Sequence, residues 1–213
     1  MELCELIRIQ EALKKRIDPV YSGSNVQFIA GCDVAYTQQH SIACVVVLKM
    51  PEMDVVESSF HTEKTRFSYI PGFFAFREAH IIALAIAKIE TAVDVFILDG
   101  HGTAHPRRMG LATYTGILVD KPTIGCAKSL LTGTYHMPGN KKGDFSIIMI
   151  ENEAVGICLR TKTNSKPVFV SPGNHMDIGN SIKIVLQCTT NHKTPEPLRL
   201  AHIFANRKKI MEN

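Results

Sequence analysis

DVFILDGHGTAHPRRMG (94–110) decides how the rest of the chain is read. Val95, Phe96, Ile97 and Leu98 are uniformly apolar, the pattern of a short buried strand, and the run stops at Asp99. Behind that acid come Gly100, His101, Gly102, His105, Pro106, Arg107 and Arg108, a crowd of flexible and cationic residues. A carboxylate carried to the edge of an apolar interior must be paired, protonated or bound to metal. Core and candidate site therefore meet in one segment.

Upstream, VQFIAGCDVAY (26–36), SIACVVVLK (41–49) and MDVVESSFH (53–61) are β-rich runs parted by short polar or proline-containing breaks, which predicts an antiparallel meander. PGFFAFREAHIIALAIAKIE (71–90) opens on proline and predicts a mostly buried helix. MELCELIRIQEALKKRIDPV (1–20) predicts an amphipathic N-terminal helix. Downstream, RMGLATYTGILVD (108–120) predicts a helix, and PTIGCA (122–127), FSIIMI (145–150), VGICLR (155–160) and PVFVSPG (167–173) predict strands. SIKIVLQC (181–188) and PEPLRLAHIFANRKKIM (195–211) predict two closing helices, the last with a basic end. The sum is an α/β sandwich around one mixed sheet, a three-strand antiparallel meander extended by parallel strands and flanked by helices. That element order is the order of the ribonuclease H-like architecture. At 213 residues, with no repeat and no linker, the chain reads as a single domain, 1–213.

Composition excludes several classes. With 45% apolar and 21% charged residues the chain is far from the profile of disorder. A net charge of +4 permits an anionic partner without specifying nucleic acid. Cys4, Cys32, Cys44, Cys126, Cys158 and Cys188 are scattered singly, without CxxC or Cys/His zinc spacing, and are expected to be buried free thiols. Free thiols suit a reducing compartment, the N-terminus lacks a secretory signal pattern, and no uncharged apolar run reaches the roughly 18 residues of a membrane span. A cytoplasmic, membrane-free protein is expected.

Three acids stand where acids are unusual. Asp33 follows FIAGC in the first strand, Asp99 ends VFIL, and Glu78 sits in FREAH within an apolar helix. Singly, each Asp is more simply a turn or cap residue, and Glu78 a solvated helix charge. Two aspartates on strands that a sheet can set side by side, with a third carboxylate, change the balance. Such oxygen ligands with open positions are what Mg²⁺ or Mn²⁺ needs to hold a phosphate and a nucleophilic water. Gly100 and Gly102 allow close approach of backbone to a ligand, and His101, His105, Arg107 and Arg108 could offer donors to phosphate. Lys128, behind another short strand, reads equally as an ordinary helix-start lysine or a stabiliser of phosphate charge. His202 shares a helix face with Arg199 and most simply lies at the surface. SYIPG (68–72) is a packed turn or a rigid wedge for stacked bases.

Six blocks in order, IAGCDVAY (29–36), YIPGFFAFRE (69–78), LDGHGTAHPRRMGLA (98–112), PTIGCAKSLLTGT (122–134), VFVSPG (168–173) and PEPLRLAH (195–202), resemble the endonuclease V family over nearly the full chain. The resemblance implies a ribonuclease H-like fold and a Mg²⁺-dependent nuclease, with Mn²⁺ as a substitute, acting on deaminated bases in DNA, chiefly deoxyinosine. It implies a cut at the second phosphodiester bond 3′ to the lesion, leaving 3′-hydroxyl and 5′-phosphate ends. Asp33, Glu78 and Asp99 match the family's metal-binding carboxylates, and His202 a histidine close to the metal. Lys128 matches its catalytic lysine and His105 a further active-site histidine. Tyr69, Ile70 and Pro71 match a wedge that holds strands apart. Gly72, Phe74, Gly100, Gly110 and Leu111 match the pocket for the flipped base. Ser68, Tyr114 and Asn174 depart from the family's usual residues. Inosine-containing RNA is the alternative substrate and a non-catalytic nucleic-acid-binding module the alternative class. The chain is expected to act as a monomer.

Overall fold

The computed structural model describes residues 2–212. Eight strands form one sheet in the order β3-β2-β1-β4-β5-β8-β7-β6. The meander is β1 (Phe28–Tyr36), β2 (His40–Lys49) and β3 (Asp54–Lys64), all antiparallel neighbours. β4 (Val95–Leu98) and β5 (Thr123–Ala127) extend it in parallel from β1. Beyond them the sheet turns antiparallel, through β8 (Val168–Pro172), β7 (Glu153–Leu159) and β6 (Phe145–Ile150). The parallel part is thus only three strands wide, and no helix separates β5 from β6. The β6/β7 pairing has a local cause: the two strands are joined by Glu151 and Asn152 alone, Glu151 has a φ of 54°, and a two-residue connection can only return antiparallel.

Side chains alternate along each strand, and the alternation sorts them onto two helical layers. Ile29, Val46, Val95 and Ile97 pack with α4 (Ile178–Gln187) and α5 (Glu196–Glu212), through Ile184, Val185, Leu198 and Ala201. Ala30, Cys32, Val45, Phe96 and Leu98 pack with α2 (Phe74–Ile86) and α3 (Leu111–Val119), through Ala79, Ile82, Leu111 and Ala112. Each isoleucine so buried contributes roughly 1.5–3 kcal/mol. Gly31 lies beneath the start of α5, where a Cβ would stand 2.1 Å from the Pro197 carbonyl oxygen. α1 (Leu3–Lys14) turns Leu6 and Gln10 inward.

Helix ends shift for identifiable reasons. The helix expected over 71–90 starts at Phe74, because Gly72 has a φ of 78° and breaks the turn before it. The one expected over 108–120 starts at Leu111, since Arg108 has a φ of 60° and Gly110 is extended, and it ends at left-handed Asp120. α4 starts earlier than its apolar run, capped by the Asp177 carboxylate accepting from the Asn180 amide. Cys4 is exposed, contrary to expectation, because it lies on the outer face of α1; the other five cysteines are buried. Among the described residues no helix is long and apolar enough to cross a membrane.

Candidate active site

Parallel pairing decides where the acids go. Cys32 faces Leu98 in the β1/β4 ladder, so the next residues on the two adjacent strands are Asp33, within β1, and Asp99, just past the end of β4. By alternation each follows the face of Ile29 and Gly31 or of Val95 and Ile97, which is the face covered by α5. There the His202 Nδ1 lies 2.7 Å from Asp33 Oδ2. Asp99 Oδ2 accepts from Lys128 Nζ at 2.8 Å, the lysine standing just past β5. Glu78 arrives from α2 on the opposite layer and is only 5% exposed; its carboxylate accepts from the Tyr36 hydroxyl at 2.5 Å. The Arg77 guanidinium lies over the Tyr36 ring, 4.1 Å from its centroid. All three acids and His202 line one open cavity of about 460 Å³, with Asn206 and Lys209 on its α5 wall.

Burial and like charge act together on this set. Burial raises the Asp33 carboxyl above its ordinary range, Asp99 beside it raises it further, and His202 only partly offsets the two. Glu78 is pushed up to about 8, first by burial and then by Asp33 and Asp99 against the pull of the Tyr36 hydrogen bond. Burial depresses the Lys128 ammonium, but Asp99 outweighs it and leaves the amine above its usual value. The acids are not gathered into a cage: among the described residues no three His, Cys, Asp or Glu side chains converge as a metal would require, and each acid is turned to its own protein partner. The donor set nevertheless fits a hard cation, because Asp99 bears on Asp33 and both bear on Glu78, a repulsion that a positive charge among the carboxylates relieves.

Asp99 and Phe74 also line a second cavity of about 340 Å³, near the lower end of sizes for small-molecule pockets. Gly72, Gly100, Gly110, Leu111, His105 and Lys128 surround it, with Tyr69 at its edge. The segment Ser129, Leu130 and Leu131 forms another wall that the sequence reading did not single out, although Leu130 and Leu131 are the only consecutive leucines behind Lys128. Gly110 is obligatory, since a Cβ would stand 2.3 Å from the His101 carbonyl oxygen. Tyr69 is 60% exposed and meets Phe74 edge-on, with ring centroids 5.9 Å apart. Ile70 and Pro71 stand outside the lining of this cavity.

Residues 11–203 match the sequence model of the Endonuclease V family. The chain belongs to that family. It is 40% identical over 203 residues to endonuclease V of Dictyoglomus thermophilum, covering 95% of this chain and 89% of that one. The crystal structure of endonuclease V from Streptomyces avermitilis superposes with a TM-score of 0.94 at 32% identity, over 99% of this chain and 94% of that one. Endonuclease V of Ciona intestinalis, solved in complex with a 24mer DNA containing an inosine followed by a ribo-adenosine, superposes with a TM-score of 0.86 at 27% identity, over 99% and 98% of the two chains. The protein is therefore a nuclease with the ribonuclease H-like fold of endonuclease V.

In this endonuclease V the loop behind Asp99 is a braced scaffold. The His105 Nε2 donates to the Gly72 carbonyl at 3.1 Å, so its Nδ1 is the acceptor, facing the amides of Arg107 and Met109. Burial, then Arg107, pushes this imidazole down to about 4, and the ring is 3% exposed. Arg107 is spent on Gln10 of α1 and on the Gly72 carbonyl, and Arg108 donates twice to Glu153. The two guanidiniums tie the loop to α1, to the turn before α2 and to β7. The His101 Nε2 donates to the Ser129 carbonyl, tying the loop to the wall behind Lys128. Gln10, fully buried, is a participant that sequence periodicity had no means to flag. The Asn174 departure lies far from the acids, at the opposite end of β5 from Lys128, where its side chain bonds the Asp18 amide and the Gly116 carbonyl. Tyr114 packs edge-on against Phe76.

Proposed function

We propose that this endonuclease V is a repair nuclease that recognises a deaminated base in DNA, chiefly deoxyinosine, and hydrolyses the second phosphodiester bond on its 3′ side, leaving 3′-hydroxyl and 5′-phosphate ends. The observation that carries the reading is that Asp99 and Phe74 line both cavities. A base seated beside Gly100, Gly110 and Leu111 leaves its own strand running onto the carboxylates. Asp33, Glu78 and Asp99 would hold a divalent cation, Mg²⁺ or in its place Mn²⁺. When bound, such a cation polarises the phosphate and lowers the pKa of a bound water.

The chain's own groups supply the rest. Lys128, protonated and 56% exposed at its side chain, presents an ammonium to the phosphate as negative charge grows on it. His202 holds the Asp33 carboxylate in place. Backbone groups at Gly100 and Gly110 read the edge of the flipped base, and flipping costs least where the base is badly paired, as hypoxanthine is. Tyr69, with Ile70 and Pro71 behind it, fills the gap the base leaves. His105 acts through the loop it braces.

A second reading is a substrate with a ribonucleotide after the inosine, or inosine-containing RNA, and the Ciona complex with a ribo-adenosine in that position favours it. One panel tests both. End-labelled strands carrying a single inosine in DNA, in RNA, or in DNA with one ribose after the lesion are incubated with Mg²⁺, with Mn²⁺ and with chelator. Metal-dependent nicking one nucleotide beyond the inosine is expected, and cutting that ignores the lesion or survives chelator would overturn the reading.

A further inference from the structure

Beyond the acids the groove continues. Tyr36 and Lys209, which line the carboxylate cavity, also line a third one of about 740 Å³ whose other wall is the β1–β2 turn, with Gln38 and Gln39 exposed. Three cavities therefore run in series: the base pocket, the carboxylate site and this outer trough, joined by Asp99 and Phe74 at one boundary and by Tyr36 and Lys209 at the other.

The α5 side of this path has a definite pattern. His202, Asn206 and Lys209 are spaced four and three apart and share one helix face. Asn206 Nδ2 donates back to the His202 carbonyl at 2.8 Å. Lys209 pairs with no carboxylate among the described residues. Glu212, the one acid in the outer trough, is already answered by Lys208 at 3.4 Å and by the Thr62 hydroxyl. Beside Lys209 the trough is lined by the neutral carboxamides of Gln38 and Gln39, by Thr37 and by the imidazole of His40, a lining suited to a sugar-phosphate backbone.

We infer that the outer trough is the subsite for the substrate strand 3′ of the cut, and that Lys209 is its phosphate anchor. The direction rests on the reading proposed above. With the lesion in the base pocket and the bond to be cut at the carboxylates, the strand that leaves past Tyr36 is the 3′ portion. His202 to Lys209 spans about 10 Å along the helix, roughly three stacked nucleotides, so the anchored phosphate is within about three linkages of the cut. Lys209 is a positioning residue: it holds the strand in register across the acids and touches neither the reacting phosphate nor the base. The competing role for a lysine in the last turn is to balance the helix dipole.

The test is a methylphosphonate scan, which removes one phosphate charge at a time on both sides of the inosine, read as KM in the wild type, Lys209→Gln and Lys209→Arg. One neutral linkage 3′ of the cut is expected to raise the wild-type KM by roughly 2- to 5-fold, the range of an exposed charge pair, and to have no effect in Lys209→Gln. The slope of log affinity against log salt should fall by about 0.7–0.9 in Lys209→Gln and return in Lys209→Arg. Identical scans in wild type and Lys209→Gln, with only a lowered melting temperature, would assign Lys209 to the helix end and overturn the inference. A sensitive linkage on the 5′ side of the lesion that vanishes in Lys209→Gln would overturn the direction. Failure of the wild type to cut any inosine substrate would instead defeat the function on which the inference rests.

Discussion

Lys128 Nζ lies 2.8 Å from Asp99 Oδ2; Lys128 lines the cavity beside Gly100 and Gly110, and Asp99 lines both that cavity and the carboxylate one. Under the function proposed above, the ammonium is held where a phosphate attached to a flipped nucleotide would pass. Lys128→Ala is expected to slow single-turnover nicking of an inosine duplex by about 10²- to 10³-fold, the range for removing one preorganised donor. Affinity for the same duplex under chelator should change little. Quenched-flow rates within a few-fold of the wild type would remove Lys128 from the chemistry.

Two of the pocket glycines, Gly100 and Gly110, differ in what surrounds them. A Cβ at Gly110 would meet backbone oxygens of His101 and Gly102 at 2.3 and 2.6 Å, which cannot yield without moving the loop. Gly110→Ala should cost about 1–3 kcal/mol and lower the melting temperature by several degrees. At Gly100 the nearest atoms belong to the Leu111 side chain, 3.1 and 3.2 Å away, which can shift. Gly100→Ala should keep the wild-type melting temperature yet narrow the pocket and reduce the preference for inosine over adenosine. Equal thermal loss in both variants would contradict the distinction.

Tyr69 is exposed and meets Phe74 edge-on, and so costs little to remove from the folded protein. Base stacking on an aromatic ring is worth about 1–3 kcal/mol. Tyr69→Ala should therefore weaken discrimination between lesion and undamaged duplex by roughly 5-fold or more while the cleavage step on a single-stranded lesion persists. Unchanged discrimination in competitive nicking assays would rule out the wedge.

Away from the site, His175 bridges Asp18 and Asp120, with both contacts at 2.9 Å. The Asp120 bond, against burial and aided by Asp18, raises the imidazole above its ordinary value. The Val20 amide, then His175, lowers the Asp18 carboxyl. Stability from the charged ring is fully present below about pH 6.5 and is lost as pH rises through the raised value. Stability from Asp18 is present above its ordinary value and is lost as pH falls through the lowered one. The bridge should therefore act most strongly in mildly acidic solution. His175→Gln should flatten the decline of melting temperature between about pH 6 and 8, by a degree or two because the pair is exposed. An unaltered slope would show that the bridge contributes nothing.

Much of this is legible in the sequence. The apolar run of β4 and its terminal Asp99, the meander upstream and the apolar periodicity of α2 and α5 are local patterns, and local patterns report the face that must be buried. Glu78 shows the limit. A single glutamate in a helix is read as solvated, yet it is 5% exposed, because α2 lies against the sheet with that position turned inward to Tyr36. Arg107, Arg108 and His105 were legible as a cluster, but their partners, Gln10, Glu153 and Gly72, lie dozens of residues away or more. Gln10, Asn206 and Lys209 gave no signal, since each acquires its role only from the element it is packed beside.

The sequence by itself determined which segments become strands and helices, which residues can carry charge into the interior, and the family to which the chain belongs. Tertiary structure decided which acids face one cavity, that a second cavity adjoins them through Asp99 and Phe74, and which cations find a carboxylate partner. The physical reason is that hydrophobic periodicity is written within one element and acts over a turn or two. Electrostatic commitment, by contrast, is settled between elements: Asp99 meets Lys128 and Asp33 meets His202 only after β1, β4, β5 and α5 have been brought together.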